Sequence, residues 1–179
     1  MNKLKDLTWE NHQKAERSEF ARKLLSGMTP EEYYRYIYNQ WIIYAVLENQ
    51  AEPTGALNGI EGIVRADAIH ADMIELEHQY GIKRDAALLC NVASDYTNYI
   101  MQMQGKDNFL AHIYVRHFGD IYGGQIIRKR NPGSGTMYDF DKVDELKATV
   151  RAMLDNNMAD EANRCFEFAM QLFEELKYE

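Results

Sequence analysis

The chain has 179 residues, 46% of them hydrophobic, and a formal net charge of -8. That hydrophobic content excludes a disordered chain, and the length fits one domain, residues 1–179, with a sizeable core. The acidic balance opposes non-specific binding to a nucleic-acid backbone, which needs many phosphates neutralised.

No run of 18 apolar residues occurs, so no membrane span is expected. The longest candidate, Ile37 to Leu47, is interrupted by Asn39 and Gln40. The start, MNKLKDLTWE, lacks the apolar stretch of a signal peptide, and Phe173 to Glu179 offers no membrane tail. A soluble, cytoplasmic protein is expected. Cys90 and Cys165 form neither a CxxC pattern nor a disulfide framework and read as buried thiols.

The three prolines, at 30, 53 and 132, sit at boundaries and leave long helical stretches between them. The first predicted helix runs from about Leu4 to Leu24. Thr29, Pro30 and Glu32 then supply a cap, a proline at the first helical position and a capping box. They open a second helix with apolar residues at helical spacing from Tyr34 to Leu47. Pro53 ends it. A third helix is expected from Ile60 to Tyr80, a fourth from Arg84 to Gln104 and a fifth from Asp107 to about Arg130. A loop from Asn131 to Thr136 follows, then a sixth helix from Asp141 to Leu154 and a seventh from Ala159 to Leu176. Helices of this length on short loops predict an all-α, compact, single-domain bundle.

On the wheel of the first segment, Trp9, His12, Glu16, Phe20 and Leu24 share one face, which predicts an inward His12 one turn before Glu16. Such an imidazole can bind a metal through one nitrogen and take a hydrogen-bond partner on the other. On spacing alone, a satisfied core histidine is the plainer reading, and a single His is a weak signal.

The fifth segment carries Gly119, Gly123 and Gly124 within six residues. Each glycine costs about 1 kcal/mol against alanine inside a helix, so a bend or a close approach to the backbone is expected. Gly119 and Gly123 lie one turn apart and clear a groove for a flat ligand. Asp120 sits at its edge as a carboxylate able to order water and relay protons, with Arg116 one turn earlier to pair with it or share its water. Close helix packing with a surface Asp–Arg pair is the alternative.

His70, Glu75, Glu77, His78 and, from the second helix, Glu48 supply one Glu-x-x-His but lack the second that a di-metal site wants; a solvated charged face fits them. No GxSxG, HExxH, Walker or GxGxxG motif occurs. The twelve tyrosines read as packing residues with hydroxyls at the boundary of the bundle.

Three segments resemble the haem oxygenase family: HQKAERSEF (12–20), YVRHFGDIYGGQIIRK (114–129) and DEANRCFEFAMQLFEEL (160–176). Their order spans the whole domain. The resemblance implies haem as substrate and catalytic cofactor, lying between the first helix and a kinked glycine-containing distal helix. It implies His12 as the iron ligand with Glu16 in support, Gly119 and Gly123 over the haem, and Asp120 ordering the distal water. Arg116 and Tyr114 would belong to that network, Tyr114 near a propionate. Lys5, Lys147 and Arg151 match propionate contacts, and Phe166 and Phe173 match pocket aromatics. The implied reaction uses dioxygen and external electrons to give biliverdin, with the alpha isomer expected, plus carbon monoxide and ferrous iron. The implied electron donor is ferredoxin, with Arg128, Lys129 and Arg130 as docking residues, and a bilin reductase is a candidate downstream partner. The sequence departs from the family at Tyr122, where relatives often carry a small residue. His117 and Phe118 stand where they often carry Tyr or Phe and Leu. The alternative function is a non-catalytic haem carrier or sensor on the same fold.

Overall fold

The computed structural model describes residues 3–177, and among them every regular element is helical. Eight α-helices follow in order: α1 (Lys3–Glu16), α2 (Glu19–Ser26), α3 (Pro30–Ala51), α4 (Ala66–Tyr80), α5 (Asn91–Gln102), α6 (Lys106–Arg130), α7 (Val143–Met153) and α8 (Ala159–Lys177), with short 3-10 turns between several of them. One continuous apolar cluster draws on all eight, from Leu4 to Leu176. Helix α3 lies against α4 and α5, while α8 lies against α1, α2, α5 and α6.

The expected first helix is two helices. The chain breaks at Arg17–Ser18, where the Ser18 side chain caps α2 by accepting from the Ala21 amide. That break resets the helical phase, so the wheel drawn from Trp9 through Leu24 does not hold. Helix α1 buries Leu4, Thr8 and Ala15, while Phe20 and Leu24 are buried by α2. The α3 start is as the sequence reads: Thr29 and Glu32 form a reciprocal capping box with Pro30 in the first turn.

The third and fourth helices start later than the periodicity implies, because distant side chains cap them there. Glu48 reaches from α3 to accept the amides of Arg65 (2.7 Å) and Ala66 (3.0 Å), fixing the start of α4. Glu175 on α8 does the same for Asn91 and Val92 at the start of α5. Asn39 accepts the Cys90 amide and donates to the Leu88 carbonyl, holding the preceding loop. The two side chains that interrupt the apolar run of α3, Asn39 and Gln40, are therefore buried and bonded rather than exposed.

Helix α6 is unbroken α-helix through all three glycines. Gly124 is there for packing: an added Cβ would meet Cγ of Tyr138 at 2.9 Å and Cδ1 closer still. Gly119 has nothing within 4 Å of that direction. At the far end, Gly27, with φ +117°, seats the α2 terminus against the Arg130 carbonyl. Asn131 locks the same corner through the Leu24 carbonyl and the Met28 amide.

Candidate active site

The site residues named from the sequence fall into two surface groups and one buried network. The first group lies on α1 and α8. His12 is not inward: its side chain is 47% exposed, and Trp9 and Glu16 are exposed with it. The ring stacks on Trp9 (5.4 Å between centroids) and meets the edge of Phe166 on α8 at 5.9 Å. Glu16 Oε2 lies 3.4 Å from His12 Nε2, and the Lys5 ammonium lies over the Trp9 ring. Phe173, about two turns along α8 from Phe166, stacks on Phe20 of α2.

The second group lies on α6 and α7. Tyr114, Phe118 and Tyr122 form an edge-to-face ladder along α6. Arg151 of α7 donates to the Tyr122 hydroxyl and covers Phe118, and Lys147 lies over the Tyr122 ring. Beside them runs a stripe that water-exposed helices rarely carry: Gly119, Tyr122 (55% exposed), Gly123 and Ile126 (52% exposed). Among the described residues no ring contact, ion pair or hydrogen bond joins the two groups directly. They share a wall, because α1 and α6 both pack on α8 and on the turn Asn156–Met158. An exposed imidazole, a glycine-opened apolar stripe and three flanking cations suit a flat apolar ligand with anionic groups.

Directly behind Gly119 lies the buried network. Asp120 is 5% exposed, so it lies under the groove rather than projecting at its edge. Tyr44 donates to its carboxylate at 2.5 Å. Burial pushes the Asp120 carboxyl up to about 6, with the Tyr44 bond and the charges of His117, Arg116 and Arg65 pulling the other way. Arg116 does not pair with Asp120. It donates to Gln40 at 3.1 Å, and Gln40 donates in turn to the Tyr36 hydroxyl. Its guanidinium lies over Tyr96, with Nε and Nη2 unpartnered among the described residues.

The sequence gives no role to three partners here: Tyr44, His112 and His117, the last marked only as a departure from the family. Tyr44 is one tyrosine among twelve, and only its pairing across 76 positions singles it out. His117 stacks on it and pairs with Glu48. Fully buried His112 bridges Tyr96 and Glu161. Burial alone would lower the His112 imidazole, but Cys165 and Glu161 reverse this and raise it to about 9. Many tyrosine hydroxyls thus work inside the bundle, not at its boundary.

The residues weighed for a metal do other work. Glu77 binds Arg84 and Tyr34, Glu75 accepts from Ser134, and His70 meets Arg84 and Trp41. Among the described residues no cluster of three His, Cys, Asp or Glu is placed to hold a metal ion.

A family model described as Heme oxygenase matches residues 1–175. The chain belongs to the haem oxygenase family. It is similar to "Heme oxygenase 2" of Macaca fascicularis, with 31% identity over 97% of this chain and 64% of that protein, so it spans under two thirds of this relative's length. "Heme oxygenase 1" of a Nostoc strain is 27% identical over 98% of this chain and 85% of its own. Among solved structures, heme oxygenase-1 of Synechocystis, determined in complex with heme, superposes with a TM-score of 0.81 at 23% identity, covering 98% and 90% of the two chains. The haem oxygenase of Leptospira interrogans gives 0.82 at 22%, covering 96% and 97%. These likenesses make the bundle the haem oxygenase fold, as the motifs imply.

Proposed function

We propose that this chain is a haem oxygenase, opening haem with dioxygen and external electrons to biliverdin, carbon monoxide and ferrous iron. One observation carries the reading: the backbone of α6 is open at Gly119, and the next residue, Asp120, is a buried, hydrogen-bonded carboxyl. A carrier needs the open face but not a proton-exchanging group behind it.

When bound, haem supplies the iron at which dioxygen is reduced. His12 is the metal ligand in this proposal; its ring is accessible, steadied by Trp9 and Phe166, and Glu16 Oε2 lies close enough to orient it. Gly119 and Gly123 let a flat ring lie against main chain, with Tyr114, Phe166 and Phe173 as aromatic walls. Lys5, Lys147 and Arg151 are cations for the propionates. Asp120, at about 6, exchanges protons near neutral pH and works through water held over Gly119. Tyr44 fixes the carboxyl's direction, and Arg116 adds positive potential without neutralising it through a direct pair.

The finer expectations belong to the same reading. The alpha isomer is the proposed product. Ferredoxin is the proposed donor, meeting the basic end of α6, where Lys129 and Arg130 are exposed while Arg128 is tied to Asp139. A bilin reductase would take the product onward. No helix among the described residues is long and apolar enough to cross a membrane.

The test is reconstitution with haem under nitrogen, then reductant and air, with absorption spectra and product chromatography. An open-chain tetrapyrrole supports the proposal. Haem bound and returned intact assigns the chain to the carrier class.

A further inference from the structure

His117 has a position that the proposed reaction does not by itself explain. It is fully buried on α6, two residues after Val115 and three before Asp120. Its Nε2 lies 2.8 Å from Glu48 Oε2, and its Nδ1 lies 3.2 Å from the Ile113 carbonyl oxygen. Both ring nitrogens therefore face acceptors. Glu48 also accepts the Arg65 amide at Oε2 and the Ala66 amide at Oε1, so it meets the ring as an acceptor. An imidazole donates at both nitrogens only when it carries two protons. The ring also stacks on Tyr44, 4.7 Å between centroids at 24°, and Tyr44 is the residue that donates to Asp120.

We propose that His117 is a positioning residue for Asp120: clamped by Glu48 and stacked on Tyr44, it holds the tyrosine hydroxyl on the carboxyl and presents a positive charge to it. The inference rests on the haem oxygenase reading for its purpose, but its geometry stands apart from it. The other groups that interact electrostatically with Asp120 are Tyr36 and Tyr44 from α3, Arg65 ahead of α4, Arg116 from α6, and Tyr33 and Tyr138. Burial drives the carboxyl up, and after the Tyr44 hydrogen bond the charge on His117 is the strongest influence drawing it back. His117 acts on both, through the stack and directly.

Full-length protein carrying 15N-histidine and 13C-carboxyl-aspartate tests this by NMR, with His117→Gln and Asp120→Asn assigning the two resonances. At neutral pH both ring nitrogens of His117 are expected in the protonated range. A spectrum of a singly protonated ring overturns the proposal; should His117→Gln not fold, the ring is assigned in wild type through its contact with Tyr44. In His117→Gln, which keeps a donor for Glu48 but loses charge and stack, the Asp120 midpoint is expected to rise by about one pH unit or more. An unmoved midpoint overturns it. In haem-loaded protein, the limb of the ring-opening rate that Asp120→Asn abolishes should shift upward in the same variant. If wild type opens no haem, the proposed function falls while the two NMR readings still decide the role of His117.

Discussion

Replacing Asp120 by Asn should make the protein more stable and less active. The ordinary carboxyl value is 3.8, and the fold holds Asp120 at about 6 because burial disfavours its charge. Between those values the native state binds the proton that the unfolded chain has lost, so wild-type stability falls as pH rises from about 4 to about 6. At roughly 1.4 kcal/mol per pH unit of displacement, ionising this carboxyl costs the fold about 3 kcal/mol at pH 7 and above. Asparagine is neutral and nearly isosteric, and its oxygen can still accept from Tyr44. The variant is therefore expected to gain on the order of 2–3 kcal/mol at pH 8, with each kcal/mol raising the melting temperature by roughly 2–4 °C. Below pH 4 the two proteins should converge. Urea unfolding of haem-free protein at pH 3.5, 5, 6 and 8 measures this. Equal stability of variant and wild type across that range would refute the assignment of Asp120 as a carboxyl strained by burial. The same variant should lose haem ring opening, since an amide cannot exchange the proton.

Three other outcomes follow from the geometry. Gly119→Ala should stabilise the haem-free protein by up to about 1 kcal/mol, because the Cβ enters open space and helix propensity improves. Gly124→Ala should cost about 1–3 kcal/mol, because its Cβ collides with Tyr138; thermal melts of the pair separate the two roles. Glu48→Ala should cost about 3–5 kcal/mol, since it leaves buried His117 uncompensated and the first amides of α4 bare; urea midpoints check it.

The helices, the capping box and the glycine segment were legible because their causes are local. Periodicity and the Thr29–Glu32 pair act within a turn or two of chain. The starts of α4 and α5 were not, because Glu48 and Glu175 cap them from 17 and 84 positions away. The His12 wheel failed for a similarly small reason. Ser18 breaks the helix, and a phase carried across a break points the side chain the wrong way. The structure places His12 on an exposed face rather than turned to the core. Asp120 was legible as a carboxyl beside the glycines, but its burial and its partner were not: nothing in the spacing distinguishes Tyr44 from its neighbours Tyr36 and Tyr38. The sequence does show two polar residues, Asn39 and Gln40, inside the most apolar stretch of α3. They were the available sign that this helix faces a buried polar network.

In the proposed reaction His12 holds haem iron. Removing the exposed His12 side chain should leave folding stability within about 0.5 kcal/mol, so any effect on haem reports the bond rather than the fold. Resonance Raman spectra of the ferrous haem complex test the bond itself. An iron–histidine stretch is expected in wild type, vanishing in His12→Ala and returning when imidazole is added. A band that persists unchanged in the variant would place the iron on another ligand and rule out His12.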